Sequence, residues 1–478
     1  MTTPVQVDQP IRLSARHAGA ERSGPSAFDP PSTTPPATLP PISRKKQAAV
    51  LLSAFTTIAL TIGYNQCYGV FQEYYLSPRQ DVLVPSPALQ PTSPPPTALL
   101  AFVGTLCYGL TWAGGILVNP VIARIEHGIW APTTPTSRLW RRRVLRSLTA
   151  RTITVSGVLV TSLGFLLASF SRSIWQLLLT QGLLILAGGG AGGLILSPVI
   201  RALLSSVGGR WTLRIYAIFS LVAGLPVAWA VPRSRFATGA NANQPSTPHS
   251  EEPGEQQQQQ QQPEESGRPN THVSRALASR PTFLLSAVAA FLQAAGAQLP
   301  LSFIPSYTVT LGMSASTGAD LLAASSAVNA ASRILTGYAG DRLGRQNTLV
   351  LTLLLAACSV FALWLSSAAA ASSSLWLAFI ALYSFSAGGY YALFPALVAD
   401  VFGIRQYAAV NAFILFVRGL GTMFGSPVGG QLLGDSHEGA RAYASIAYWD
   451  GALLMCATVC CVGVRWADAK GKGWKWIA

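Results

Sequence analysis

The chain has 478 residues, of which 50% are hydrophobic and only 11% are charged, and its mean hydropathy is +0.38. This composition is too apolar for a soluble protein of such length and is typical of a chain that crosses a membrane many times. The net charge is +15. Because the Lys and Arg residues lie in the tails and between apolar runs, the positive-inside rule explains them better than nucleic-acid binding does, and we expect a lipid bilayer as partner.

The first half of the chain is predicted to be a polar tail followed by an incomplete helical bundle. Residues 1–46 are rich in Pro, Ser and Thr, which favours a disordered cytoplasmic tail. Residues 47–231 form the N-terminal bundle. Its first span, at about 47–75, carries Asn65 and Gln66, which indicates a helix that lines a cavity. We assign the tyrosines near its end, Tyr68, Tyr74 and Tyr75, to an interfacial aromatic belt. Further regular spans are predicted at about 98–122, 152–170 and 216–231.

The run from Ile174 to Val207 does not fit a regular bundle. It is about 34 residues long and contains the glycine-rich stretch 188–193, and a helix of that length reaches ~50 Å, too much for one span and too little for two. Counted as one span, it would place the next loop outside the cell, against that loop's charge. It could be one over-long or broken helix, or a re-entrant hairpin of two half-spans. A misread intron boundary that removes part of the fourth and fifth spans explains both anomalies at no physical cost.

The second half is regular. Residues 232–280 contain a Gln-rich tract and are predicted to be a disordered central cytoplasmic loop. Residues 281–464 form a C-terminal six-helix bundle, with spans at about 281–311, 320–338, 349–365, 375–398, 408–433 and 442–464. The basic residues 465–478 are predicted to be a cytoplasmic tail. The fold class is therefore all-α: a polytopic membrane protein with about 11 spans instead of 12, because the fourth and fifth are fused.

The second span of the C-terminal bundle carries the most informative residues. Arg333 lies inside a run of small and apolar residues, where a charge costs several kcal/mol unless it faces a cavity or a partner. The segment GYAGDRLGR follows at 337–345. It resembles the G-x-x-x-D-R-x-G-R loop of the major facilitator superfamily, which implies a two-bundle secondary transporter. The loop's residues would serve gating and structure without touching the substrate; they are Gly337, Asp341, Arg342, Gly344 and Arg345.

Two further stretches resemble the fungal branch of the monocarboxylate porter family, GVFQEYY at 69–75 and LASFSRSIWQLLLTQG at 167–182. That resemblance implies symport of a small organic anion, with Arg333 holding a carboxylate through two parallel hydrogen bonds. The family has an aspartate where this chain has Asn329, and animal members have a lysine near Gln66. Because this chain lacks both charges, transport should depend only weakly on a proton gradient. Alternatively, Arg333 snorkels towards the surface or joins the Asp341 cluster.

Other polar residues inside the spans are weaker candidates. Asn65, Gln66, Gln293 and Gln298 either line the substrate path or serve helix packing. Arg418 either faces the cavity or pairs with a carboxylate such as Asp400. The four-residue spacing of Gly421, Gly425 and Gly429 predicts close helix packing. Four acidic residues lie near the ends of predicted spans, so no carboxylate is expected at mid-membrane; these residues are Glu73, Asp320, Asp400 and Asp450.

The sequence contains no phosphate loop, catalytic triad or spacing typical of metal ligands, so we expect neither an enzyme nor a cofactor or metal. Its six cysteines all fall in predicted spans and are interpreted as small packing residues. We predict a secondary active or facilitative transporter of a small organic anion or related metabolite, working by alternating access. It would lie in the plasma membrane rather than the vacuole, and protons are left open as a partner. The alternatives are a metabolite exporter, a non-transporting sensor or an inactive truncated transporter.

Overall fold

The computed structural model describes residues 64–83, 97–114, 150–183, 193–230, 273–434 and 439–473, with isolated residues between 44 and 56 and at 116. Every regular element in these ranges is helical, so the predicted all-α class is confirmed. The predicted cytoplasmic tail at 1–46 and the central loop at 232–280 lie almost entirely outside the described residues, as do the glycines at 188–192.

The N-terminal half contributes five helices to the described chain. These are α1 Tyr68–Leu76, α2 Thr97–Ala113, α3 Ala150–Ala168, α4 Ile174–Leu177 and α5 Gly193–Ala230. A π-helical turn, Leu178–Leu183, continues α4. Helix α3 packs along α5, where the hydroxyl groups of Ser162 and Ser220 are 2.8 Å apart.

The tyrosines of α1 are core residues, so their assignment to an aromatic belt is wrong. Tyr68 and Tyr75 are 4% and 0% exposed. Tyr68 donates a 2.7 Å hydrogen bond to the carbonyl oxygen of Leu100, and the Tyr75 hydroxyl accepts one of 2.8 Å from Gln181. Because α1 is surrounded by other helices, its aromatic rings fill the interior rather than the membrane interface.

Helix α5 is two helices joined at Gly208, where φ is +80°. Asp81 caps the second of them: its carboxylate accepts hydrogen bonds from the backbone N–H groups of Gly209, at 2.8 Å, and Arg210, at 3.4 Å. Glycine adopts this left-handed conformation without the steric cost that a side chain would add. The chain therefore reverses direction at Gly208, between the stretches 193–207 and 209–230.

The pieces on either side of residues 184–192 run in opposite directions. Arg214, just past the Gly208 turn, donates a 3.2 Å hydrogen bond to Ser169, which lies just before α4, so the segment 174–207 starts and finishes at the same end of the bundle. Further along the first piece, Gly182 packs against Val103 on α2. This arrangement contradicts a single over-long helix and agrees with the hairpin interpretation.

The C-terminal half contributes eight helices to the described chain, five of which are 29 or 30 residues long. They are α6 Arg275–Ala278, α7 Pro281–Thr310, α8 Ala315–Leu343, α9 Arg345–Ser359, α10 Leu365–Ala370, α11 Ser373–Phe402, α12 Ile404–Leu433 and α13 Ala444–Lys472. A π-helical turn, Val360–Trp364, joins α9 to α10. A helix of 29 residues, such as α8, is ~44 Å long and exceeds the ~30 Å hydrocarbon core.

Two boundaries of this half differ from the prediction. Residues 275–278 form α6, whose Leu277 is only 4% exposed, so the last part of the predicted disordered loop is ordered by apolar burial. Helix α13 continues to Lys472, so the predicted tail from 465 begins as helix. It ends at Gly473, which has a φ of +80°.

Six helices of the described chain are long and apolar enough to cross a membrane. They lie at Val199–Trp229, Pro281–Thr310, Arg345–Ala370, Ser373–Phe402, Gln406–Leu433 and Ala440–Gly471. Helix α8 is long enough but more polar. We assign the end of the bundle that carries Arg342, Arg345 and Lys470 to the cytoplasm, because cytoplasmic loops are enriched in Lys and Arg.

The two halves meet along three helix pairs: α2 with α12, α1 with α7 and α5 with α8. Within the C-terminal half, the glycines of α12 allow close packing on α7, as their spacing predicted. A Cβ atom on Gly425 would lie 2.0 Å from the carbonyl oxygen of Ala295, and one on Gly421 would lie 2.2 Å from that of Phe291. This packing fixes α12, and with it Arg418, beside the seam between the halves.

Candidate functional site

Arg333 is held by Asn329, one turn earlier on α8. Its Nε and one terminal nitrogen donate hydrogen bonds of 3.2 and 2.9 Å to Oδ1 of Asn329. The Asn329 amide nitrogen is 3.4 Å from the carbonyl oxygen of Ser384 on α11, which links the pair to that helix. The neutral amide thus orients the guanidinium without cancelling its charge.

The ring of Tyr391 lies between two arginines. The guanidinium carbon of Arg333 is 4.9 Å from the ring centroid, and that of Arg418 is 5.1 Å from it. Close packing of α8 and α11 permits this, since a Cβ on Gly388 would lie 1.9 Å from the hydroxyl of Ser332. Two cationic groups around one ring form a positively charged site that suits an anion.

Arg418 is 4% exposed and belongs to this cluster rather than to the helix ends. Its guanidinium lies 4.5 Å from the ring of Tyr390 and 5.7 Å from that of Trp112. Among the residues that the structure describes, its Nε has no hydrogen-bond partner. Asp400, the carboxylate considered for it, binds Arg345. Arg418 therefore lies among aromatic rings, and that it faces the substrate cavity stays a prediction.

The N-terminal half contributes two aromatic residues to the site. Trp112 and Tyr108 on α2 pack edge to face, with ring centroids 6.1 Å apart, and Tyr108 interacts with Tyr391 across the seam. The backbones touch here, because a Cβ on Gly419 would lie 2.3 Å from the carbonyl oxygen of Gly109. The site therefore lies between the halves, level with the middle of α12.

The aromatic residues of this cluster were not predicted: Tyr108, Trp112, Tyr390 and Tyr391. The one available signal was the segment Gly388-Gly389-Tyr390-Tyr391, in which two small residues precede two rings in the middle of a span. Its partners lie far away in the sequence, so periodicity could not join them.

The predicted amide residues are buried but are not shown in contact with the arginine cluster. Asn65, Gln293 and Gln298 are 4%, 1% and 7% exposed, and Gln66 is partly buried. Within the described chain, the side-chain oxygens of Asn65, Gln66 and Gln293 have no hydrogen-bond partner. They remain predictions for the substrate path.

The signature loop ties three helices together at the cytoplasmic end. Arg345 forms hydrogen bonds of 3.2 and 2.9 Å to the Asp400 carboxylate on α11, and it lies 3.5 Å from Asp341 on α8. Gly344, with a φ of +92°, makes the turn between α8 and α9. Arg342 lies over the ring of Tyr338, at 5.4 Å.

Close approach in this loop depends on Gly340 rather than Gly337. A Cβ on Gly340 would lie 2.4 Å from Leu393, whereas one on Gly337 would meet nothing within 4 Å. The prediction that the loop's small residues allow close contact therefore applies to Gly340. For Gly337, the described residues give no packing reason.

Asp450 corrects the expectation that no carboxylate lies at mid-membrane. It is 0% exposed and opposes Gly296, the middle of α7, where an added Cβ would lie 3.0 Å from Oδ1 of Asp450. Asp450 is close in the sequence to the start of the predicted span, and this closeness predicted a position near the membrane surface. In the structure, however, α13 packs so that Asp450 faces the centre of α7.

Glu73, on α1 in the N-terminal half, is paired. It lies 2.5 Å from Arg201 on α5, at the outer end of the bundle. A cavity of about 780 Å³ opens beside this pair and reaches the start of α8. The pair joins α1 to α5 at the outer mouth of the seam.

Neither the cysteines nor the acidic residues form a metal centre within the described residues. Of the six free cysteines, Cys67, Cys107 and Cys461 are buried.

The sequence matches one protein family and is similar to several known proteins. A family model described as the Major Facilitator Superfamily matches residues 182–426 and 286–474. Over 454 residues the chain is 24% identical to an MFS-type transporter of Ophiocordyceps sp. (strain BCC 1869), covering 88% of this chain and 85% of that protein. It is 23% identical over 441 residues to an aspyridones efflux protein of Emericella nidulans, covering 89% and 78%.

The architecture matches solved structures as well. A xylose transporter of E. coli, in a partially occluded inward open conformation, superimposes with a TM-score of 0.55 at 12% identity. The match covers 87% of this chain and 97% of that one. At this identity, the likeness concerns the fold alone.

Proposed function

Because the chain belongs to the major facilitator superfamily of membrane transporters, we propose that it moves a small organic anion across the membrane by alternating access. The N-terminal bundle, 47–231, and the C-terminal bundle, 281–464, would move against each other about the arginine cluster, with 232–280 as the linker between them. Sites at such an interface are typical of transporters of this kind.

The observation that carries this proposal is the placement of two guanidinium groups around Tyr391. Two guanidinium groups that both lie within about 5 Å of one ring centroid repel each other. The Nε of the buried Arg418 has no hydrogen-bond partner among the described residues. A bound carboxylate would relieve the repulsion and supply the missing acceptor. The site is thus electrostatically incomplete without an anion.

A second candidate is export of a larger anionic metabolite made in the cell. It is favoured by the rings at the site and by the similarity to an aspyridones efflux protein. Flat rings such as those of Trp112 and Tyr391, which are both partly exposed, offer apolar surface to a conjugated or aromatic substrate. Importer and exporter share the arginine cluster, so they differ in substrate size and direction. We propose the plasma membrane as the location for either.

The test is counterflow in vesicles that contain the purified protein. Vesicles loaded with unlabelled lactate should accumulate labelled lactate from outside, and lactamide, which has similar shape but no charge, should not replace it. Larger anions that carry conjugated or aromatic rings extend the same assay to the export candidate. If no anion exchanges in vesicles of verified orientation, the transport proposal is wrong. The protein would then be a non-transporting sensor or an inactive truncated transporter.

A further inference from the structure

Asp450 is a completely buried carboxyl group without a counter-charge. Its exposed fraction is 0%, and neither oxygen has a hydrogen-bond partner among the described residues. Most buried polar groups in proteins are paired, so each exception needs a physical reason. An ionised, unpaired carboxylate at this depth would cost many kcal/mol. An uncharged side chain that carries a proton avoids this cost.

The described neighbours of Asp450 include a glycine, a leucine and a tyrosine. A methyl group added to Gly296 on α7 would lie 3.0 Å from Oδ1 of Asp450 and 3.0 Å from the side chain of Leu454, one turn along α13. The absence of a side chain at Gly296 leaves the room that the carboxyl group occupies. From α11, Tyr383 is the titratable group that interacts with Asp450, and its hydroxyl donates a 3.3 Å hydrogen bond to the carbonyl oxygen of Ala297.

The other charged groups on the elements around Asp450 are engaged elsewhere. On α12, Arg418 lies over Tyr390 and Tyr391. On α9, Arg345 binds Asp400. On α13 itself, Asp468 accepts a hydrogen bond from Gln346, Arg465 donates one to Asn347, and Lys470 lies over the ring of Trp466. Helix α7 has no Asp, Glu, Lys, Arg or His between Pro281 and Thr310. Among the side chains that the structure describes on these helices, no cation is placed to stabilise an ionised Asp450.

We propose that Asp450 binds a proton that moves together with the anion. The proton would be taken up from water on one side, held as an O–H on the buried carboxyl group, and returned to water on the other side. No other bond is made or broken. The inference rests on the proposed anion transport, and it reverses the expectation of weak proton dependence that followed from Asn329 and Gln66. Since Glu73 is bound to Arg201, Asp450 is the better candidate.

The experiment compares two assays on Asp450→Asn, a variant of nearly the same shape that cannot bind the proton. In wild type, an imposed pH gradient should drive accumulation of labelled lactate. Asp450→Asn should lose that stimulation completely while still exchanging lactate in counterflow, which needs no net proton movement. Asp320→Asn, which changes an exposed aspartate beside the outer cavity at the start of α8, serves as control and should keep the stimulation by the pH gradient.

The outcomes separate the two proposals. Wild-type counterflow without stimulation by the gradient overturns the proton site and leaves anion transport standing; so does gradient-driven uptake by Asp450→Asn. Absence of counterflow in wild type overturns the proposed function itself, and with it the coupling.

An infrared measurement on wild-type protein decides the protonation state even if Asp450→Asn fails to fold. At neutral pH we expect a carbonyl band of a protonated carboxyl group that shifts when aspartate is labelled with ¹³C. Its absence would show that Asp450 is ionised, and the inference would fail.

Discussion

At the scale of single residues, Arg333 gives the sharpest test of the arginine cluster. Replacing it with alanine should abolish anion transport without reducing expression, because the side chain is exposed and no core packing depends on it. Arg333→Lys should also fail, since an ammonium cannot bond Asn329 through two nitrogens while facing Tyr391. Counterflow of labelled lactate measures both variants.

The matched control is Arg441→Ala, which removes an exposed arginine from the outer turn before α13. It should transport like wild type. Unchanged uptake kinetics in either Arg333 variant would show that this arginine does not contact the substrate and serves only to snorkel.

At the scale of helices, the packing of α12 on α7 predicts a strong asymmetry between two glycines. Gly425→Ala should destabilise the protein by about 1–3 kcal/mol, because the new methyl group meets backbone and the helices must move apart. Gly337→Ala places its methyl group in open space and should be neutral or stabilising, by up to ~1 kcal/mol, through helix propensity. Thermal unfolding in detergent measures both. Equal shifts for the two variants would contradict the packing described for α12.

The hairpin arrangement of α4 and α5 predicts where the ends of the segment 174–207 are accessible. In a variant without the six native cysteines, Ser173→Cys and Ser206→Cys should both react with a membrane-impermeant maleimide added outside intact cells. Both positions lie at the outer end, near Ser169 and Gly208 respectively. If one site reacts only after the membrane is permeabilised, the hairpin is contradicted and a single over-long helix is favoured.

The sequence predicted helices more reliably than it predicted the site. Each span of the C-terminal half is an apolar run bounded by polar or glycine-containing turns, so its helix could be located within a few residues. The cluster around Tyr391 depends on contacts between α2, α8, α11 and α12, which no local pattern encodes. The predicted depth of Asp450 in the membrane was wrong for a similar reason. That depth is set by the packing of α13 against Gly296, rather than by the position of Asp450 along its own span.

At the scale of the whole molecule, close contacts between the halves define the motion that transport requires. Helices α2 and α12 touch near the outer surface, where a Cβ on Gly430 would lie 2.8 Å from the Cα of Ala98. They touch again near the arginine cluster, at Gly109 and Gly419. Alternating access needs the outer contact to open, so that the anion can reach Arg418 from outside.

The most direct test of this account is to lock that outer contact reversibly. In the variant without native cysteines, Leu99→Cys and Gln431→Cys, which replace exposed neighbours of the tightly packed Ala98 and Gly430, should be joined by a short thiol-reactive cross-linker that contains a cleavable disulfide. After cross-linking, counterflow of labelled lactate should stop, and reductive cleavage of the linker should restore it; each single-cysteine variant should transport after the same treatments. Undiminished counterflow in fully cross-linked protein would contradict transport by opening of the two halves.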